Sequence, residues 1–255
     1  MPPSWALATL LALLGLCACP SSYAARDDLR QIVQQRCVPD WQRHRDPAPC
    51  LSVTLPVSGS TDAGYAVLQD RKGGAHLLLI PLRTLEGIES PELLQAGALP
   101  NYFAAAWQTQ HLLAGRTSYP LPRDDIALAI NSRYSRGQDQ LHIHVECQGG
   151  PLHAALLTHA ATLTDDWQPL TVAGNEWLVR RLAGSTLAGR DPFQLLAAGV
   201  PVARAHMGFY TLVVAGVRYR DGPGFALLTR RAILRGNGEG LLDASCAVAA
   251  QTPLR

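Results

Sequence analysis

Two histidines separated by one residue lie in a segment with the pattern of a β-strand. Apolar and polar residues alternate through Leu141-His142-Ile143-His144-Val145, and successive side chains of a strand point to opposite faces. His142 and His144 therefore share a face, on which Gln140 and Glu146 also lie. Because much of an imidazole is unprotonated at neutral pH, it is a good nucleophile toward phosphorus. The pattern predicts His142 as a nucleophile and His144 as its catalytic neighbour.

The loop before this strand is rich in groups that bind phosphate. A strictly alternating segment, 125–131, predicts a strand, and the polar loop Ser132–Asp139 follows it. If the two strands pair through this loop, its polar side chains lie near His142. Arginine forks and amide donors stabilise charge that is spread over the oxygens of a transferring phosphoryl group. Four residues of this region are therefore predicted to bind substrate: Asn131, Arg133, Arg136 and Gln138.

A His-x-His pair on a strand also fits a structural role or a zinc site. The sequence shows no complete set of ligands, so neither a metal nor another cofactor is expected. Glu146 either orients a histidine or lies at the rim of the sheet. His76 lies in an apolar strand and is interpreted as a core histidine rather than a ligand, whereas a site role for His206 stays open.

The segment 138–145 resembles the histidine-triad family, whose motif is His-φ-His-φ-His-φ, with φ an apolar residue. In that family the middle histidine is a covalent nucleophile and carries the nucleotidyl group. His142 corresponds to the middle histidine and His144 to the third. Gln140 occupies the first position, so the triad is incomplete, and the resemblance implies that an amide does the orienting work of a histidine there. Gln140 is therefore the fifth predicted substrate-binding residue.

The surroundings are similar to one branch of that family, the bacterial CDP-diacylglycerol pyrophosphatases. The similarity extends over about residues 27–246, nearly the whole chain after its N-terminal segment. It implies hydrolysis of CDP-diacylglycerol to CMP and phosphatidate at a membrane surface, without a cofactor. The matching stretches are Ala129-Ile130-Asn131-Ser132-Arg133, Cys37-Val38-Pro39, Pro49-Cys50, Gly64-Tyr65-Ala66-Val67-Leu68, Glu89-Ser90-Pro91, Ala106-Trp107-Gln108 and Ala205-His206-Met207-Gly208.

The resemblance also implies a role for each site residue. His142 would attack the phosphorus on the cytidine side, phosphatidate would leave, and water would release CMP. His144 and Gln138 would stabilise the phosphoryl oxygens, and Asn131 would contact the sugar or phosphate or hold His142. The two arginines would meet the diphosphate. Two other functions remain open: a broader nucleotidyl hydrolase or transferase for soluble nucleotide diphosphates, and a nucleotide- or lipid-binding protein that has lost catalysis.

The composition and the N-terminus bound the class of protein. Of the 255 residues, 47% are hydrophobic and 16% are charged, which excludes a disordered chain. The net charge of +2, without a basic run, argues against a nucleic-acid partner. Residues 1–25 contain an apolar, uncharged run from Trp5 to Ala18, followed by small residues. They are predicted to be a signal peptide cleaved near Ser22-Tyr23-Ala24, a lipoprotein signal with Cys19 lipidated, or a retained anchor.

The remaining four cysteines agree with export to the periplasm, in solution or attached to the inner membrane. An even number of cysteines in an exported chain indicates disulfides, and four allow three pairings. Cys37 and Cys50 bracket a short polar stretch and are paired here with each other. Cys147 is then left to pair with Cys246.

The predicted elements favour an α+β fold, because strands cluster in antiparallel pairs rather than alternating regularly with helices. Residues 26–255 are predicted to form one domain: a histidine-triad-like antiparallel sheet with flanking helices, its core at about 63–148, with a C-terminal extension packed on it. The sequence indicates no oligomeric state. Strands are predicted at 64–68, 76–80, 125–131, 141–145, 177–179, 210–215 and 225–229, and helices at 26–36, 102–113, 152–163 and 192–198.

Overall fold

The structure is a computed structural model that describes residues 26–233 and 237–251. The predictions for residues 1–25 lie outside this part of the chain. Within it, no helix combines the length and the apolar character that crossing a membrane requires. Ten strands form one sheet: β1 (Ser52–Thr54), β2 (Tyr65–Gln69), β3 (Leu77–Pro81), β4 (Ile126–Ile130), β5 (Ile143–Gln148), β6 (Gln168–Val172), β7 (Asn175–Ala183), β8 (Tyr210–Tyr219), β9 (Gly222–Arg231) and β10 (Leu242–Asp243).

Every strand pair of this sheet is antiparallel, and the order is β1-β2-β3-β5-β4-β8-β9-β7-β6. The short β10 pairs with the end of β5. The fold is therefore α+β with a large, open antiparallel sheet, as the clustering of strands predicts. The prediction of a C-terminal extension packed on the sheet is wrong: β8 pairs edge to edge with β4, so β6 to β9 extend the same sheet.

The helices cover both faces of the sheet. Strand residues with odd numbers in β3 and β5, such as Leu77 and Val145, pack with α3 and α5 in one large apolar cluster. The opposite face carries two separate clusters, one under α1 and α2 beside β1 to β3, and one under α4 beside β4, β8 and β9. The helices are α1 (Asp28–Ile32), α2 (Val38–His44), α3 (Tyr102–Gln108), α4 (Gly150–His159), α5 (Pro192–Gly199) and α6 (Ala247–Gln251), and a π-helical turn, Val33–Cys37, joins α1 to α2.

The gap between the two clusters of the second face is filled by polar side chains of β5. In the register of the sheet, His144 lies opposite Leu78 of β3 and Ala129 of β4. Ala129 belongs to one cluster and Leu78 to the other. Strand alternation thus directs Ile143 and Val145 into the large core and His142, His144 and Glu146 into the gap.

Several predicted elements differ in extent from the observed ones. Strand β7 spans nine residues rather than three, because Arg180 and Arg181 lie over the rings of Trp167 and Tyr219 instead of ending the strand. The predicted helix 102–113 changes after Gln108 into a 3₁₀ segment, Thr109–Arg116. The segment 37–62, for which the sequence predicts no helix or strand, contains α2 and β1. Pro39 is compatible with α2 because proline is tolerated in the first turn of a helix.

Both predicted disulfides are present. Cys37 is bonded to Cys50 and Cys147 to Cys246. The second bond fastens the C-terminal segment to the end of β5, next to the β5–β10 pairing. Stable disulfides indicate an oxidising, exported compartment.

The two disulfides should differ in their contribution to stability. In the chain-entropy model a separation of 99 residues corresponds to about 4–5 kcal/mol and one of 13 residues to about 3 kcal/mol. We expect the double variant Cys147→Ser/Cys246→Ser to unfold at lower urea concentration than Cys37→Ser/Cys50→Ser. Equal midpoints in the two double variants would show that loop closure does not govern the difference.

Candidate active site

His142 immediately precedes β5 and is held by the backbone. Its Nδ1 lies 2.7 Å from the carbonyl oxygen of Gln140. A carbonyl oxygen only accepts, so Nδ1 carries the proton and donates it, and Nε2 keeps its lone pair. Burial lowers the pKa of His142 and outweighs the opposing effect of this carbonyl. The imidazole is therefore neutral at neutral pH, with one fixed tautomer and a nucleophilic Nε2.

His144 lies beside His142 and contacts a third histidine. The ring centroids of His142 and His144 are 5.1 Å apart, and Nδ1 of His144 lies 2.9 Å from Nε2 of His76. Glu146 is close to both, with its Oε1 3.1 Å from Nε2 of His76. Burial, together with the charge of Glu239, raises the pKa of Glu146 to about 8. Burial lowers the pKa of His144 well below its ordinary value and lowers that of His76 as well.

Glu239 reaches the site from the C-terminal segment. Its Oε2 accepts from Nδ2 of Asn131 at 3.1 Å and lies 3.5 Å from Nε2 of His144. Its Oε1 accepts from Nζ of Lys72 at 2.7 Å. Burial raises the pKa of Glu239, but His144, Lys72 and Asn131 outweigh it and lower that pKa to about 2. Since His144 is neutral, we attribute the lasting negative charge of Glu239 to the Lys72 ammonium.

These side chains border a cavity of about 180 Å³. His142 and His144 lie on its wall together with amide groups and charged groups. The polar and charged lining residues include Asp28, Gln69, Asp70, Arg71, Lys72, Asn131, Gln138 and Glu239. A second part of the wall is apolar and consists of Leu29, Ile32, Leu68 and Leu78. The cavity wall therefore combines hydrogen-bond donors, the two cationic side chains Arg71 and Lys72, and a hydrocarbon surface.

Of the five predicted substrate-binding residues, only Asn131 and Gln138 line this cavity. Arg133 is exposed, and its guanidinium lies over the ring of Tyr134. Gln140 is buried, and its amide nitrogen donates to the carbonyls of Pro81 and Arg83 at 3.0 and 2.9 Å. Gln140 thus anchors the chain next to His142 with its side chain and fixes the His142 tautomer with its backbone. His206 is exposed too and stacks on Phe209.

Arg136 is buried in an ion-pair cluster behind the cavity wall. It pairs with Glu89 and with Asp139, and Asp139 also accepts two hydrogen bonds of 2.7 Å from Arg26. The guanidinium of Arg136 is therefore already neutralised by carboxylates. Side-chain hydrogen bonds from Arg26, then from Arg136, lower the pKa of Asp139 to about 2 against the opposing effect of burial. This cluster fastens the loop before β5 to the start of α1.

Sequence reasoning missed three features of the site: Lys72, Glu239 and the contact of His76 with His144. Lys72 had a detectable signal, because it is the only lysine of a chain that otherwise uses arginine for its basic residues. His76 is one residue before β3 and continues its register with β5, in which Leu77 lies opposite Val145. Glu239 had no signal in the sequence, since it follows β9 and lies more than ninety residues from the β5 histidines.

An α+β protein with a buried, neutral imidazole at a small polar cavity has the machinery of a hydrolase or a group transferase. The family model of CDP-diacylglycerol pyrophosphatase matches residues 24–250. A protein of Yersinia pestis named CDP-diacylglycerol pyrophosphatase is 40% identical over 258 residues, which cover 98% of this chain and 96% of the relative. This protein is therefore a hydrolase. This chain belongs to the CDP-diacylglycerol pyrophosphatase family.

The ion pairs of Asp139 should make stability depend on pH. The pKa of Asp139 is lowered in the folded state, so its contribution is full above the ordinary pKa and disappears as the pH falls toward 2. At neutral pH, Asp139→Asn is expected to lower the free energy of unfolding by roughly 1–2 kcal/mol. Urea unfolding of both proteins should show this difference shrinking on acidification. A difference that stays constant down to pH 2 would rule out the charge of Asp139 as its source.

Proposed function

We propose that this protein hydrolyses the diphosphate bond of CDP-diacylglycerol to CMP and phosphatidate through a covalent CMP–His142 intermediate. The observation that carries the proposal is the hydrogen bond from Nδ1 of His142 to the carbonyl of Gln140. It leaves Nε2 unprotonated on a ring that borders the cavity. Membership of the family supports the substrate and the overall reaction.

In the first step, Nε2 of His142 attacks the phosphorus of the cytidylate group. The new N–P bond forms as the bond from this phosphorus to the bridging oxygen breaks, and phosphatidate leaves with that electron pair. The second pKa of a phosphate monoester is about 6, so phosphatidate departs as a stable anion. The imidazole becomes positively charged because Nδ1 keeps its proton. The carbonyl of Gln140 stabilises this charge as it develops.

In the second step, a water molecule attacks the phosphorus of the intermediate. The N–P bond breaks, its electron pair returns to Nε2, and CMP leaves. Both protons of the water are released at neutral pH, because the second pKa of a phosphate monoester is about 6. The net reaction therefore consumes one water and yields CMP, phosphatidate and two protons. His142 ends in its starting tautomer, since the proton has remained on Nδ1, hydrogen-bonded to the Gln140 carbonyl, throughout.

Donors on the cavity wall stabilise the phosphoryl oxygens in both steps. Asn131 and Gln138 provide amide groups, and His144 provides an imidazole next to the nucleophile. Lys72 provides the positive charge that sequence reasoning assigned to Arg133 and Arg136. In the free protein its ammonium pairs with Glu239, and a diphosphate would compete for it. Fixed donors of this kind act most strongly where water is excluded.

The apolar wall of the cavity supports a lipid substrate. Leu29 and Ile32 belong to α1, which follows the apolar N-terminal segment by a few residues. We assign this wall to the glycerol and the first part of the acyl chains, with the protein exported and acting at the surface of the inner membrane. The His142-x-His144 pair, flanked by the antiparallel strands β3 and β4, further supports a relationship to the histidine-triad superfamily.

The covalent mechanism predicts that His142→Ala abolishes CMP release, with a loss of about 10³-fold or more, because no other group replaces the nucleophile. Intact-protein mass spectrometry after a rapid, acid-free quench with CDP-diacylglycerol should detect one added CMP. This adduct should be absent in His142→Ala. The matched control is His159→Ala, which changes an exposed histidine at the end of α4 and should keep both adduct and turnover. Full activity of His142→Ala would refute the mechanism.

The role of Lys72 predicts that Lys72→Met lowers kcat/KM for CDP-diacylglycerol by about 10- to 100-fold, the loss expected for one charge-assisted contact to phosphate. Arg36→Met, on an exposed face of the π-helical turn, serves as the control of equal charge change. Steady-state kinetics in mixed micelles would measure kcat/KM for both variants. If Arg133→Met lowered kcat/KM more than Lys72→Met does, Arg133 rather than Lys72 would be the residue that binds the diphosphate. Equal turnover of a soluble CDP-alcohol would contradict the lipid assignment.

A further inference from the structure

Four side chains with metal-binding atoms converge behind the cavity from three separate parts of the chain. His76 precedes β3, His144 and Glu146 lie on β5, and Glu239 begins the 3₁₀ turn before β10. One ligand atom of each lies within 4.8 Å of the others. Such a site is not predictable from the sequence, because these residues have no motif spacing. The fold nevertheless assembles two imidazoles and two carboxylates in one place.

Three of these atoms form a triangle with the dimensions of a metal site. Nε2 of His76 lies 2.9 Å from Nδ1 of His144 and 3.1 Å from Oε1 of Glu146, and the third side, between Nδ1 of His144 and Oε1 of Glu146, is 3.9 Å. A tetrahedral zinc ion with bonds of about 2.0–2.1 Å separates its ligand atoms by roughly 3.3–3.4 Å. The three sides lie around this value, so a cation fits between the atoms with small shifts.

One buried oxygen of this triangle lacks the hydrogen-bond partner that it requires. Glu146 is 3% exposed, and its Oε1 has no hydrogen-bond partner among the described residues. Buried polar atoms are nearly always satisfied by a partner, and an orphaned one calls for a cause such as a missing ion. A cation bound to Oε1 of Glu146 would satisfy this oxygen.

The second nitrogen of each histidine faces a carboxylate. Nδ1 of His76 lies 3.8 Å from Oδ1 of Asp70, and Nε2 of His144 lies 3.5 Å from Oε2 of Glu239. Histidines that bind a metal through one nitrogen nearly always direct the other N–H to such an acceptor, which fixes the tautomer. Glu239 suits this outer role because its two oxygens already accept from Lys72 and Asn131.

We propose that His76, His144 and Glu146 bind a divalent transition-metal cation of the zinc type, with Asp70 and Glu239 as carboxylate partners of the two imidazoles. Imidazole nitrogens and one carboxylate oxygen are ligands that zinc accepts. The cation holds His144 with Nδ1 as the ligand atom, so that Nε2 must carry the proton and direct it to Glu239. The cation itself has a positioning role.

Zinc binding by the purified full-length chain tests the proposal. After removal of metal with a chelator and dialysis against zinc at neutral pH, elemental analysis should find about one zinc per chain. Cobalt in place of zinc should give visible absorption bands typical of a metal site with a low coordination number, such as a tetrahedral one. Glu146→Gln, which keeps the size of the side chain, should weaken zinc binding by about 100-fold or more in calorimetric titration. His76→Asn is the second variant, should Glu146→Gln fail to fold.

Two control variants distinguish this site from zinc bound elsewhere on the chain and from the catalytic role of His142. His153→Ala removes a histidine that pairs with Asp125 near α4 and should leave zinc binding unchanged. His142→Asn should lose turnover and keep the zinc, so failure of the catalytic proposal and failure of the metal proposal give different results. A zinc content below about 0.1 per chain in the wild type overturns the proposal, as does unchanged binding in Glu146→Gln. Either result would leave a direct hydrogen bond as the sole link between the rings of His76 and His144.

Discussion

The hydrogen bond between Nδ1 of His142 and the carbonyl of Gln140 sets the chemistry that the cavity can perform. An imidazole has two nitrogens, and only a fixed partner decides which of them holds the proton. In this protein the partner is the backbone carbonyl of Gln140, two residues before His142. The tautomer of His142 therefore depends on the backbone conformation of residues 140–142 and not on another side chain. Gln140 keeps that path in place, because its amide is fastened to the carbonyls of Pro81 and Arg83. Because the backbone of Gln140 fixes the tautomer, position 140 does not need a histidine for this purpose.

The sheet accommodates such a buried polar group by segregating the two faces of β5. Ile143 and Val145 enter the large apolar core, which stabilises the central strands. The opposite face keeps only small or separate apolar clusters on either side of the histidines. Burial there holds His142 and His144 neutral. The strand register therefore buries both imidazoles, and this burial lowers their pKa values.

What the sequence could predict follows from how local each feature is. The alternation around His142 and the pairing of Cys37 with Cys50 are local patterns, and Cys147 and Cys246 are then the cysteines left to pair. The structure agrees with all three predictions. The site beyond β5 depends on contacts between distant segments. Arg136 has the residue type of a phosphate ligand, but Glu89 and Asp139 neutralise it from another loop and from its own. Spacing along the chain contains no information about such partners, and so the cation at the cavity had to be found in the fold.

The C-terminal segment is part of the site. Strand β10 pairs with the end of β5, the Cys147–Cys246 bond closes the same corner, and the carbonyl of Ala244 accepts from the amide of Ala75 next to His76. These contacts hold Glu239 where it meets His144 and Lys72. A fragment limited to about 63–148 would retain His142 and lose Glu239. Residues 63–148 alone therefore lack a side chain that borders the cavity, in keeping with a family match that extends over residues 24–250.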